Sequence, residues 1–243
     1  MANSIRTVSG GLARLAALWA VSMALPLGCA LVAGTVVGDG RPEVVNLLAR
    51  VLLAAVCLPW VVGHRAGRRP PSKGEPSPAL PAAALALAWA GAQADASVTG
   101  DASPVGALAA LSAVFAAPVA EELLFRGAIQ PYCDGRFGRP AAVAISAGLF
   151  ALCHGRPDDL LWLVAAGASL ASLREVRGLA WAILCHVLFN GGAWLWAEAS
   201  IPVPAPVADA VSVAAPLLSV SLTALFLATA LHPSRTHSPE ESR

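Results

Sequence analysis

Apolar runs as long as a bilayer crossing recur from one end of the chain to the other, and this feature restricts the fold more than any other. A helix needs roughly 17–25 residues to cross about 30 Å of hydrocarbon. Eight segments fit or approach that length, at about 12–37, 44–62, 79–92, 105–125, 141–153, 160–172, 179–197 and 207–231; the third, fifth and sixth are short. Charged residues make up only 13% of the 243 residues, well below the roughly 25% of a soluble domain. The reading is an all-α, polytopic membrane helix bundle of about eight transmembrane helices. It forms one integral membrane domain over 1–243, with a polar tail at 232–243 and no segment left for a soluble domain.

The connecting segments predict a sidedness. With the N-terminus in the cytoplasm, the inner loops collect the basic residues, including those of "HRAGRRPPSKGE" (64–75), Arg126, Arg136, Arg139, Arg174 and Arg177. The outer loops hold only Arg41 and Arg156 beside several acids, and Arg50 lies within the second segment. That asymmetry follows the positive-inside rule and puts both termini in the cytoplasm. The net charge of +1 hides a sided distribution and implies no nucleic-acid partner; the 64–75 connector suits anionic lipid instead. A compact chain rich in Ala and Arg reads as a multi-pass protein of a bacterial plasma membrane. The basic start, apolar run and "PLGC" ending at Cys29 faintly resemble a lipoprotein signal, but the run continues to Val37 and reads as a retained first span. The five cysteines are odd in number and form no C-x-x-C, so they predict neither a disulfide framework nor a thiolate metal site.

Within this apolar background "PVAEELLFRG" (118–127) needs an explanation. Glu121 and Glu122 are the acidic residues inside the predicted spans apart from Asp209 at the edge of the last, while His186 lies within a span and His154 directly follows one. Ionisable groups in hydrocarbon are costly and mark function by default. Glu122 and Arg126 are i,i+4 and can pair on one helix, whereas Glu121 points about 100° away toward another neighbour. "HVLFN" places His186 and Asn190 at i,i+4, and "FALCH" does the same for Phe150 and His154. Counting helical rise on either side of a turn in "CDGRFGR" brings Glu121 and His154 to similar depths, with Arg126 at the membrane interface. Three helices thus offer polar chemistry to one interior.

These motifs carry a resemblance. "EELLFR" (121–126), "FALCH" (150–154) and "HVLFN" (186–190) look like the EExxxR, FxxxH and HxxxN motifs, in order, of the CPBP intramembrane proteases, the group of CAAX proteases and bacteriocin-processing (Abi) proteins. The resemblance covers about residues 105–197, the expected catalytic core. It implies an endopeptidase that cleaves a membrane-associated peptide or protein. It also implies that Glu121 and His154 activate a water, and that His186 and Asn190 stabilise the oxyanion, with Glu122, Arg126 and Phe150 in support. The chemistry is sound apart from the name: a carboxylate in an apolar bundle is a better base than one in water, and donors fixed in low dielectric stabilise an oxyanion strongly.

Other readings use the same residues. Glu121, His154 and His186 are a plausible His₂Glu set for zinc, although the resemblance requires no cofactor. A non-catalytic immunity or partner-binding protein would tolerate loss of Glu121. A proton-coupled transporter fits poorly, because the polar groups cluster in one half of the chain. The seven tryptophans read as interface anchors or packing residues.

Overall fold

The computed structural model describes residues 2–38, 41–64, 77–99, 106–199 and 203–231, and among them there is no strand. Eight helices follow one another: α1 (Ala2–Val37), α2 (Pro42–His64), α3 (Ala79–Thr99), α4 (Ala107–Phe137), α5 (Arg139–Cys153), α6 (Leu160–Arg177), α7 (Leu179–Ala199) and α8 (Ala205–Leu231). The polytopic bundle read from the sequence is the fold. Five helices, α1, α2, α4, α7 and α8, contain stretches long and apolar enough to cross a membrane; α3 and α5 are shorter apolar helices. Many large side chains point outward, among them Leu31, Val36, Leu188 and Leu195. In a bilayer such a surface faces lipid. The predicted connector at 64–75 and tail at 232–243 lie almost wholly outside the described residues.

Element boundaries moved most around α4. The predicted span ended near 125, but the helix runs on to Phe137 and turns at Gly138, whose φ of +81° only glycine adopts easily. Arg136, read as a loop residue, lies on the last turn, where its guanidinium covers the Tyr132 ring.

The long α4 is not regular. It widens into π-helical turns at Ser112–Ala116 and Leu123–Ile129. Each stretch is followed, two residues on, by a proline, Pro118 and Pro131. A proline lacks an N–H and crowds the carbonyl four residues back, and widening the helix relieves that crowding. The Ala117 N–H reaches back to the Ser112 carbonyl, and the Gln130 N–H to that of Phe125. The Phe125 carbonyl also accepts a second bond, from a neighbouring helix. The Ser146 hydroxyl of α5, fully buried, donates to the Phe125 carbonyl at 3.1 Å.

Small residues bring the helices close. Ala88 on α3 and Ala165 and Ala171 on α6 have no exposed surface. With little hydrophobic drive between helices in lipid, such contacts hold a bundle through dispersion and hydrogen bonds. The helix order around the site is set by a second device. Arg126 donates to the Gly167 carbonyl at 2.8 Å, and Gln130 to the Ala171 carbonyl at 3.1 Å, each pair 41 positions apart. Equal separation means that α4 and α6 run in the same direction, with α5 antiparallel between them. Gly167 permits the approach: a Cβ there would lie 3.1 Å from both the Ala147 Cα and the Phe150 ring. A Gly167→Leu substitution therefore forces α5 from α6, and we expect a loss of about 1–3 kcal/mol. Gly148→Leu, where an added Cβ meets nothing within 4 Å, should change stability by less than about 0.5 kcal/mol. Denaturant titration of the two variants in mild detergent checks the contrast.

Candidate active site

The centre of the bundle is a charge cluster on α4. Arg126 Nη1 donates to Glu122 Oε1 at 2.8 Å, and neither side chain has any exposed surface. The expected i,i+4 pair is present. Arg126 is enclosed by protein, with its guanidinium 4.5 Å from the centre of the Phe150 ring. Its other hydrogen bond, to the Gly167 carbonyl, satisfies more of its donors and removes the need to reach water. Phe150 contributes an aromatic face. Its ring also meets those of Phe125, His154 and His186 edge-on, at 5.6, 4.7 and 5.7 Å.

Glu122 has a second partner. His186 Nδ1 on α7 lies 2.9 Å from Glu122 Oε1. A carboxylate only accepts, so Nδ1 is the donor, and this bond fixes the ring. It leaves His186 Nε2 facing Glu121 Oε2 at 3.9 Å. The two glutamates thus flank one buried histidine.

Glu121 faces a different neighbour, as the 100° offset required. That neighbour is Arg50 of α2, whose Nη1 donates to Glu121 Oε1 at 2.9 Å. Sequence reasoning placed Arg50 inside a span and gave it no role. The signal was available: a single arginine in an apolar helix is as costly as a glutamate there and needs a partner just as much. Gln130 and Glu175 were also missed. Gln130, with no exposed surface, stands four residues beyond Arg126, and its Nε2 donates to Glu175 Oε1 at 2.7 Å. Glu175 also pairs with Arg174 and, at 3.2 Å, with Arg139. The predicted sixth span stopped at 172, one turn short of this group.

His154 ends α5, and its Nδ1 bonds the Phe150 carbonyl at 2.8 Å. A carbonyl only accepts, so Nδ1 carries the hydrogen and Nε2 remains for chemistry. The imidazole is exposed and lines, with Glu121 and Arg50, a cavity of about 670 Å³ between α1, α2, α4 and α5. Glu121 and His154 both line that cavity, and the histidine within 4 Å of Glu121 is His186, at 3.9 Å. Asn190 is directed elsewhere. Its Nδ2 donates at 2.9 Å to the Ala113 carbonyl in the first π-helical stretch. Pro118 has no N–H and the Ala117 N–H goes to Ser112, so neither backbone donor that would reach Ala113 in π or α geometry does so. Asn190 supplies the missing one.

A His₂Glu zinc centre does not fit this arrangement. Among the described residues no three of His, Cys, Asp and Glu group closely enough to hold a metal. The Phe150 ring contacts both His154 and His186, and His186 is engaged by Glu122. All five cysteines are free. Of the tryptophans, Trp19, Trp60 and Trp181 are exposed as interface anchors would be, while Trp89 bonds the Phe189 carbonyl and packs on Trp196, and Trp162 stacks on Phe189.

A multi-pass helical fold thus encloses a cluster of carboxylates, histidine and arginine, and comparison with known families shows what it resembles. Residues 103–192 match the family model of type II CAAX prenyl endopeptidases, Rce1-like, a stretch that includes every motif residue. No curated protein and no solved structure matches the chain. That similarity supports, broadly, an intramembrane endopeptidase with a peptide or membrane-protein substrate.

Two outcomes follow from the geometry. Arg126→Ala or Glu122→Ala strands a buried charge and should cost about 3–5 kcal/mol, read as a lower denaturation midpoint, with Glu122→Ala also releasing His186. Asn190→Ala should destabilise by about 1 kcal/mol. In a double-mutant cycle with Pro118→Ala, which restores a backbone donor near Ala113, most of that loss should disappear.

Proposed function

We propose that the chain hydrolyses a peptide bond of a membrane-associated peptide or protein, with Glu121 as the base that activates water and no cofactor required. It acts as a CPBP-type endopeptidase in a bacterial plasma membrane, with both termini in the cytoplasm. The observation that carries this reading is the meeting of Glu121 and His154, from different helices, on one cavity large enough for an extended peptide segment.

In this mechanism a water between Glu121 and His154 loses a proton to the carboxylate as its oxygen attacks the scissile carbonyl. The proton then passes to the leaving nitrogen as the C–N bond breaks. His154 Nε2, left free by the Nδ1 bond to Phe150, shares the proton. His186 has Nδ1 committed to Glu122, so it can offer the oxyanion a hydrogen only from a protonated Nε2, and the oxyanion role belongs to the imidazolium. Asn190 keeps a second amide hydrogen beyond the one given to Ala113. Glu122 and Arg126 hold the frame.

The test compares peptides accumulating in cells that express wild-type protein or variants. Glu121→Gln and His154→Ala should abolish turnover while the protein still inserts and folds. Purified on a product-forming substrate, His186→Ala should lower kcat by roughly 10²–10³, the usual effect of one lost oxyanion donor, and a chelator should leave the wild type unchanged. Turnover by a well-folded Glu121→Gln protein would refute the assignment.

A further inference from the structure

The cavity beside Glu121 is lined mainly by apolar residues of α1 and α2, such as Pro26, Leu27, Ala30, Val45 and Leu53. Leu27, Gly38, Pro42 and Asn46 on its walls are themselves exposed, so it is open to the outside of the bundle. One cation stands in this lining, Arg50, eight residues past Pro42 and so about 12 Å along α2. That is far into an apolar helix for a guanidinium, and its side chain is 32% exposed toward the cavity region while that of Glu121 is 11% exposed. A guanidinium presents a planar fork that suits two oxygens of one carboxylate or phosphate. Glu121 meets it through Nη1 and Oε1 alone. The fork is held by one tine.

The pair has a chemical consequence for the proposed reaction. A carboxylate that accepts from Arg50 is a less available base, because the proton it would take must compete with the guanidinium. Exchanging one carboxylate for another on Arg50 keeps the cation paired throughout, which avoids stranding it in apolar surroundings. We infer that Arg50 reads a carboxylate on the bound substrate, and that its transfer from Glu121 to that group frees Glu121 to activate water. The substrate class is then an apolar peptide segment with a carboxylate, terminal or from an acidic side chain, about one or two residues from the bond cut, given about 3.3–3.6 Å per extended residue. This inference rests on Glu121 being the base, but its binding half does not depend on turnover. Arg50 is a specificity and positioning residue.

The probes are N-lauroylglycine, N-lauroylglycinamide, the α-amide of N-lauroylaspartic acid, and dodecyl phosphate. Their binding to the full-length protein in dodecyl maltoside is measured by calorimetry. Wild type should bind lauroylglycine or the aspartate derivative at least about tenfold more tightly than the glycinamide, the effect of a charge-assisted bond; which of the two leads identifies a terminal or a side-chain carboxylate. Arg50→Gln should bring the acid-to-amide ratio close to one, and Arg50→Lys, charged but without the fork, should fall between. Glu121→Gln removes the internal competitor and should tighten acid binding further, which keeps the inference testable if Arg50→Gln fails to fold. Equal binding of acid and amide by wild type, an unchanged preference in Arg50→Gln, or weaker acid binding in Glu121→Gln overturns it. Tightest binding of dodecyl phosphate also overturns it, by assigning Arg50 to phosphate. Carboxylate preference without peptide turnover would defeat the endopeptidase mechanism and leave the recognition intact; turnover without the preference would do the reverse.

Discussion

The ion pair of Glu122 and Arg126 is the interaction on which the rest of the site depends. Both groups are fully buried, so neither can be kept without the other, and the pair is expensive unless its remaining donors and acceptors are used. Among the described residues Glu122 Oε2 and Arg126 Nε have no hydrogen-bond partner, and the groups that do have one assemble the bundle. Arg126 takes a carbonyl from α6 and the face of Phe150 from α5, and Glu122 takes the imidazole of His186 from α7. Four helices are therefore registered through two side chains on adjacent turns of α4. The neighbouring Glu121 inherits its position from that frame and is left to interact with α2 and the cavity.

Much of this was legible in the sequence, for physical reasons that also mark where legibility ended. Spacing along one helix fixes which residues share a face, so the Glu122 and Arg126 pair and the separate direction of Glu121 could be read from 121–126 alone. The class of fold followed from apolar length. That Arg50 needs a buried partner could be read from its place in an apolar helix, but not that the partner is Glu121, 71 positions away, since no periodicity links two helices across such a distance. Arginines near a span end usually extend to water; around Arg126 a carbonyl, a carboxylate and an aromatic face replace water, and no spacing in the sequence shows that. The reach of α4 to Phe137 was hidden by Asp134, Gly135 and Arg136, which look like a loop and instead form the exposed end of a helix.

The irregularity of α4 explains a further mismatch. HxxxN reads as two groups aimed at one oxygen, yet His186 and Asn190 bond different partners. Pro118 is the cause in the sequence, since it deprives α4 of a donor that Asn190 replaces. A residue may thus serve the backbone and the chemistry through different hydrogens of one amide, and the proline sits only three residues before Glu121. The π-helical turn and the proposed base, Glu121, belong to the same stretch of helix.

Gly138 and Gly178, with φ of +81° and +89°, are the single residues that separate α4 from α5 and α6 from α7. Links this short leave almost no slack between the helices they join. Mechanically, α4 with α5 and α6 with α7 behave as two closed tongs, and a displacement of either blade is carried to the other at its pivot. The motif residues are spread over three of these four blades, so a rearrangement large enough to admit a peptide has little play within a tong. α1 and α2, the helices that border the cavity and carry Arg50, belong to neither tong.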